Sequence, residues 1–233
     1  MLNNKLNSTI RNSLFILTLM ISNQALGNNQ SPSQHQKIYP NEQAITFKTM
    51  DNKTTDAFEG YIEVPENRNK ANSRLIPVKY VRFPATGNKN GSPIIYLSGG
   101  PGGSGIDTAK YPNFRFPLFM ALRELGDVIA LDQRGTGASN TTPKCVSSNI
   151  LPLTSRLTNN QVTQIYQKSA DECVLFWQQQ GVDILGYTTK QSALDIDNLR
   201  KHLEAKKVTL WGISYGSHLA FSAMKELKGK IDK

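Results

Sequence analysis

Cysteine, histidine and tryptophan are scarce in this chain of 233 residues, which has two, three and two of them. Two cysteines without further ligands at metal-site spacing cannot hold a structural zinc, and they cannot staple a small disulfide-dense domain. Phosphate cradles are missing as well. Neither G-x-x-x-x-G-K-[ST] nor a clean G-x-G-x-x-G that opens a helix occurs, so no nucleotide cofactor and no metal is expected. No apolar run is long enough to span a bilayer as a stable anchor; the best candidate, Leu14 to Ile21, falls well short of the roughly 20 residues required. There is no internal repeat. The net charge is +9, but the basic residues are not interleaved with aromatics as on a nucleic-acid platform. Lys225, Lys228, Lys230 and Lys233 gather on or after the last helical stretch, where positive charge suits a helix terminus, and read as a solvated face.

What is present is a set of glycine-rich turns, each placed directly after an apolar strand. Val208 to Trp211 runs into Gly212-Ile213-Ser214-Tyr215-Gly216, which opens a helical stretch. A serine hydroxyl is a weak nucleophile at neutral pH. It gains reactivity when a sharp strand-to-helix turn exposes it, with glycines two residues either side to let the two elements approach, and when a base takes its proton. Pro93 to Leu97 likewise runs into Ser98-Gly99-Gly100-Pro101-Gly102-Gly103-Ser104-Gly105. Such a loop presents bare backbone N–H groups that can converge on a developing oxyanion. Gly100 is the candidate for one donor and the backbone N–H of Tyr215 for the other. A third strand, Asp127 to Leu131, leads into Asp132-Gln133-Arg134-Gly135-Thr136-Gly137-Ala138-Ser139.

These three motifs, in this order, resemble the prolyl-iminopeptidase-like and tripeptidyl-aminopeptidase-like branch of the α/β-hydrolase superfamily over roughly residues 56 to 228. The resemblance implies a mostly parallel sheet with flanking helices, Ser214 as nucleophile and a peptide or small ester as substrate, cleaved by acyl transfer. Many members begin the oxyanion loop with His where this chain has Ser98; backbone donors do not need it. Asp132 and Arg134 are similar to residues that shape the loop behind the site, and they read as a satisfied ion pair or turn rather than as catalytic groups.

The triad order in this fold is Ser, then Asp or Glu, then His. After Ser214 the acids are Glu226 and Asp232, and the histidine, His218, precedes both. His218 lies one turn along the same helix and points along it, His202 belongs to the preceding helical stretch, and His35 to a polar lead-in. The expectation is therefore an N-terminal portion of a hydrolase, with the lid and later strands absent and the strand at Val208 left on an unpaired sheet edge. Its Asp and His would come from other sequence, including a separate chain that supplies the C-terminal half. A non-catalytic remnant or binding protein is the other reading.

Lys5 and Arg11, the apolar Leu14 to Ile21 and the small-x-small Ala25-Leu26-Gly27 form the pattern of a secretory signal peptide over residues 1–27. Residues 28–55 read as a polar lead-in and 56–233 as the hydrolase domain. Export would leave Cys145 and Cys173 oxidisable, either paired as a disulfide or, failing that, as two buried thiols. The resemblance to secreted members favours the pair. Further strands are expected at Phe58 to Val64 and Leu75 to Phe83, joined as a hairpin by Asn67 to Ser73. Helical periodicity runs through Val162, Ile165, Tyr166, Cys173, Phe176 and Trp177, and again through Ala193 to Leu203 and Leu219 to Leu227, with core packing expected for each.

Overall fold

The computed structural model describes residues 37–87, 91–152 and 154–233. The signal-peptide reading of residues 1–27, and His35, lie outside the described residues.

Six strands form one sheet: β1 (Glu42–Lys48), β2 (Thr54–Pro65), β3 (Leu75–Phe83), β4 (Ile94–Leu97), β5 (Val128–Leu131) and β6 (Thr209–Gly212), in spatial order β1-β2-β3-β5-β4-β6. The sheet is mixed. The hairpin expected at Asn67 to Ser73 joins β2 to β3, and both β1 against β2 and β3 against β5 are also antiparallel. The parallel half is β5-β4-β6. β1 corrects the lead-in assigned to 28–55: Ala44, Phe58, Ile45 and Ala57 stand in register across the β1–β2 ladder, and Phe47 is buried against Phe83. Only Phe47 of its seven residues is buried, so the strand keeps little apolar signal.

The two halves read differently because water reaches them differently. β2 alternates, with Phe58, Ile62 and Val64 buried and Glu59, Tyr61 and Glu63 exposed. β4 and β5 are buried at every position, as strands covered on both faces must be. One face packs Ile95, Leu97, Ile129 and Leu131 under α4 (Thr189–His202) and α5 (Tyr215–Glu226). The other packs Tyr96, Val128 and Ala130 under α1 (Gly105–Ala109) and α2 (Arg115–Leu122), chiefly through Phe116 and Phe119. Each such fully buried apolar side chain stabilises the fold by about 1.5–3 kcal/mol.

α3 (Asn159–Gln179) departs from the core packing expected of it. None of its residues is buried, although Thr158 and Gln161 close a reciprocal capping box at its start. It is tied instead to the segment before it by covalent and polar links. Cys145 and Cys173 are joined in a disulfide, Trp177 Nε1 donates to the Pro143 carbonyl at 2.9 Å, and Glu172 accepts from Ser147, Ser148 and Asn149. The pair is a disulfide, not two thiols.

β6 is at the edge of the sheet, but that edge is not bare. Asp232 donates its N–H to Val208 O at 2.8 Å and Leu210 donates to Lys233 O at 2.9 Å, so the tail runs parallel along the outer side of β6. The unpaired edge expected for this strand is thus partly occupied.

Candidate functional site

The parallel register of β4 against β6 pairs Leu97 with Gly212, so the two glycine-rich turns leave the sheet side by side at its carboxyl end. This is where open α/β sheets place their sites. Ile213 N donates to Leu97 O at 3.1 Å and continues the pairing one residue into the turn.

Ser214 then turns the chain at φ 54° and ψ −121° and α5 starts at the next residue. A non-glycine residue held there costs about 1–3 kcal/mol and persists only where the surroundings impose it. They do so through absent side chains. A Cβ on Gly212 would lie 2.6 Å from Gly216 O, and a Cβ on Gly216 would lie 2.0 Å from Leu97 O. Both glycines are therefore required for the helix to start against the strand. The Ser214 side chain is exposed. Tyr215, next along, is tied to the start of α4 by a 2.8 Å hydrogen bond between its hydroxyl and Thr189 Oγ1.

The Ser98–Gly105 loop lies against this turn. A Cβ on Gly99 would be 3.1 Å from Ile213 O and 3.5 Å from Ser214 Oγ. Gly100 adopts φ +118°, open to glycine alone, and Gly103 N donates to Gly99 O at 3.0 Å to close the loop. The Gly100 N–H meets no protein acceptor among the described residues, and that of Tyr215, at the first position of α5, has no intrahelical one. Each of the two turns that meet at Ser214 thus carries an amide with no such acceptor among the described residues.

Asp132 and Arg134 are buried and fully hydrogen-bonded, but they do not pair with each other. Asp132 is fully buried and accepts from Ser104 Oγ (2.7 Å), Ile106 N (3.0 Å) and Ala138 N (2.7 Å), which joins β5 to the start of α1 and to the short 3₁₀ turn Gly137–Ser139. Arg134 grips Asp195 on α4 instead, and also donates to the carbonyls of Glu66 and Gly186. Between them, Gln133 donates from Nε2 to Ser98 O at 3.0 Å and braces the oxyanion-loop candidate from below. Asp195 and Gln133 had no local signal as partners: each bond spans tens of residues of sequence.

No histidine reaches Ser214 among the described residues. His202 ends α4 with Nε2 3.0 Å from Tyr80 Oη. His218 is exposed on α5, its ring beside that of Tyr215. Ser214 Oγ makes no side-chain hydrogen bond there either. The described residues hold no cluster of metal-ligating side chains, and none of their helices is long and apolar enough to cross a membrane.

A family model described as the alpha/beta hydrolase fold matches residues 92–233. The chain belongs to the α/β-hydrolase fold family. Among curated relatives it is 31% identical over 169 residues to YuaR of Escherichia coli (strain K12), a protein that carries a hydrolase name, covering 69% of this chain and 32% of that one. It is 28% identical over 185 residues to the serine protease Hip1 of Mycobacterium tuberculosis (strain ATCC 25618 / H37Rv), covering 74% and 34%. It is 26% identical over 170 residues to the tripeptidyl aminopeptidase of Streptomyces lividans, covering 69% and 31%. The chain spans about a third of the length of the curated relatives it matches. As an α/β-hydrolase fold, it has the Gly212–Gly216 turn in the strand-to-helix position that a nucleophile elbow occupies.

Proposed function

We propose that this chain carries the nucleophile and oxyanion half of an exported serine hydrolase, a peptidase of the aminopeptidase kind that acts by acyl transfer. The observation that carries the reading is the backbone of Ser214: an exposed serine in a disfavoured conformation, enforced by two glycines that tolerate no Cβ. Ser214 attacks the carbonyl of an amide or ester. The N–H groups of Gly100 and Tyr215 receive the oxyanion, each such donor being worth on the order of 3 kcal/mol in a working hydrolase. An Asp and a His from outside the described residues hold and take the proton. Similarity to a serine protease and to a tripeptidyl aminopeptidase supports peptide over simple ester. Export is supported by the Cys145–Cys173 disulfide and by the amino-terminal signal pattern.

A fluorophosphonate probe tests this. The chain alone leaves Ser214 unlabelled; combined with polypeptide that supplies the Asp and His, it is labelled, and Ser214→Ala abolishes the label. Labelling of the isolated chain would show that a base is already in place, and a completed enzyme that never labels would remove Ser214 as nucleophile. The isolation of Ser214 Oγ from any histidine among the described residues favours one second reading, a non-catalytic binding protein, which that last result would support.

A further inference from the structure

A cleft of about 550 Å³ opens beside the elbow, between the Ser98–Gly103 loop, Ile213 and the segment from Thr108 to Arg115. It borders the nucleophile through Gly99, and no carboxylate lines it. Its polar lining is rich in donors: Thr108, Tyr111, Asn113 and Arg115. Arg115 has no ion pair among the described residues, and its guanidinium rests only on the Phe114 ring, 5.1 Å from the centroid. Phe114 is 72% exposed and holds φ 56°, a backbone conformation that bulky residues avoid. Phe114, like Ser214, is a non-glycine residue held at positive φ, and it lines the cleft.

Tyr96 lies beneath. Its ring is wedged against Trp211 and Phe119, 4.6 and 5.1 Å between centroids, and the residue is only 2% exposed. Its hydroxyl nevertheless has no protein partner among the described residues. Tyr96 is one of the residues that line the cleft, and no buried side-chain nitrogen or oxygen among the described residues is left without a partner.

An unpaired guanidinium, an amide and a phenol around one apolar-walled hollow, without an acid, match one kind of ligand. We propose that this cleft is a carboxylate-binding subsite of the hydrolase, with Arg115 and Asn113 at its rim and the Tyr96 hydroxyl at its floor. It would hold an anionic group of the peptide beside the scissile bond. The planar fork of arginine suits a carboxylate, and the Phe114 ring lies 5.1 Å from that guanidinium. The proposal rests on Ser214 being the nucleophile, and it makes Arg115 and Tyr96 residues of specificity. The carboxylate can be the peptide's own terminus or an acidic side chain.

Calorimetric titration of the full chain separates these sources, with acetyl-Ala-Phe as the free acid, the same peptide as its C-terminal amide, and acetyl-Asp-Phe amide. A carboxylate peptide is expected to bind at least about tenfold more tightly than the neutral amide. Preference for the free acid alone indicates the peptide terminus, and preference for the Asp peptide alone indicates a side chain. Arg115→Ala erases the preference, Arg115→Lys keeps part of it, and Tyr96→Phe weakens the acids without weakening the amide. Lys228→Ala, on an exposed lysine outside the cleft, leaves the preference intact. Equal binding of acid and amide, a preference that survives Arg115→Ala, or no binding of any peptide up to about 10 mM overturns the proposal. Because binding needs no turnover, the fluorophosphonate result at Ser214 reports separately on the nucleophile.

Discussion

Arg134 holds both carboxylate oxygens of Asp195, with Nε 2.7 Å from one and Nη2 2.6 Å from the other, and both residues are buried. Arg68 adds a second guanidinium to the same carboxylate at 2.7 Å. One aspartate thus ties the β2–β3 hairpin loop and the loop after β5 to α4. Removing it would strand a buried guanidinium in a low-dielectric interior, which costs far more than the pair gains in place. Asp195→Ala is expected to destabilise the chain by about 3–5 kcal/mol, measured by urea unfolding. A loss under about 1 kcal/mol would show that water reaches Arg134.

The elbow glycines give a steric prediction. Gly216→Ala places a methyl group 2.0 Å from Leu97 O, which is backbone and cannot swing aside. Overpacking of this kind costs about 1–3 kcal/mol, and here the relief is a shift of α5 away from β4. The measurement is thermal unfolding together with the circular dichroism of the variant. Gly181→Ala is the contrasting case: nothing lies within 4 Å of the added methyl, so only its φ of +70° resists the change.

The disulfide links cysteines 28 positions apart and ends in a helix with nothing buried. The chain-entropy model assigns such a link about 3.5 kcal/mol. Since α3 contributes little to the core, its loss is expected to be felt locally. In Cys145→Ser with Cys173→Ser, hydrogen exchange should rise across residues 143–180 while β3, β4 and β5 stay protected. Uniform deprotection of the sheet would show that α3 supports it after all.

His202 and Glu66 both contribute to acid sensitivity, alongside other carboxylates held low such as Asp183 and Asp197. Burial holds His202 below its ordinary pKa of 6.5, although Glu42 pulls the other way. For Glu66, burial pushes the pKa up, but Arg74, the Asp183 N–H and the Tyr187 hydroxyl outweigh it and hold it below 4.5. A histidine depressed in the folded state binds its proton later than the unfolded chain does, so stability declines as pH falls below 6.5. A depressed carboxylate contributes stability above 4.5 that is lost as pH falls through its folded value. The two signs agree. Unfolding midpoints are expected to drop in two stages on acidification, and His202→Gln should remove the upper stage alone.

Much of the site could be read from sequence because its turns are made of local rules. Gly212, Ser214 and Gly216 are spaced by the geometry of one turn, and Gly100 by a backbone angle that other residues avoid, so these positions are visible without the rest of the molecule. β4 and β5 were equally plain, since strands covered on both faces must be apolar throughout. β1 was missed because an edge strand with one wet face keeps few apolar residues. The helical period of α3 was legible, but period cannot say whether a stripe is buried, and none of this helix is.

By itself, then, the sequence determined the turns, the buried strands, the nucleophile candidate and the pair of cysteines, because each depends on interactions within a few residues or on side-chain chemistry alone. Only the tertiary structure decided that β4 and β6 are neighbours, that Arg134 pairs with Asp195 and not with Asp132, and that Tyr96 and Arg115 share a cleft beside Ser214. Those relationships join residues far apart in the chain, and nothing local in the sequence encodes which distant partner a buried charge or an open hydroxyl will meet.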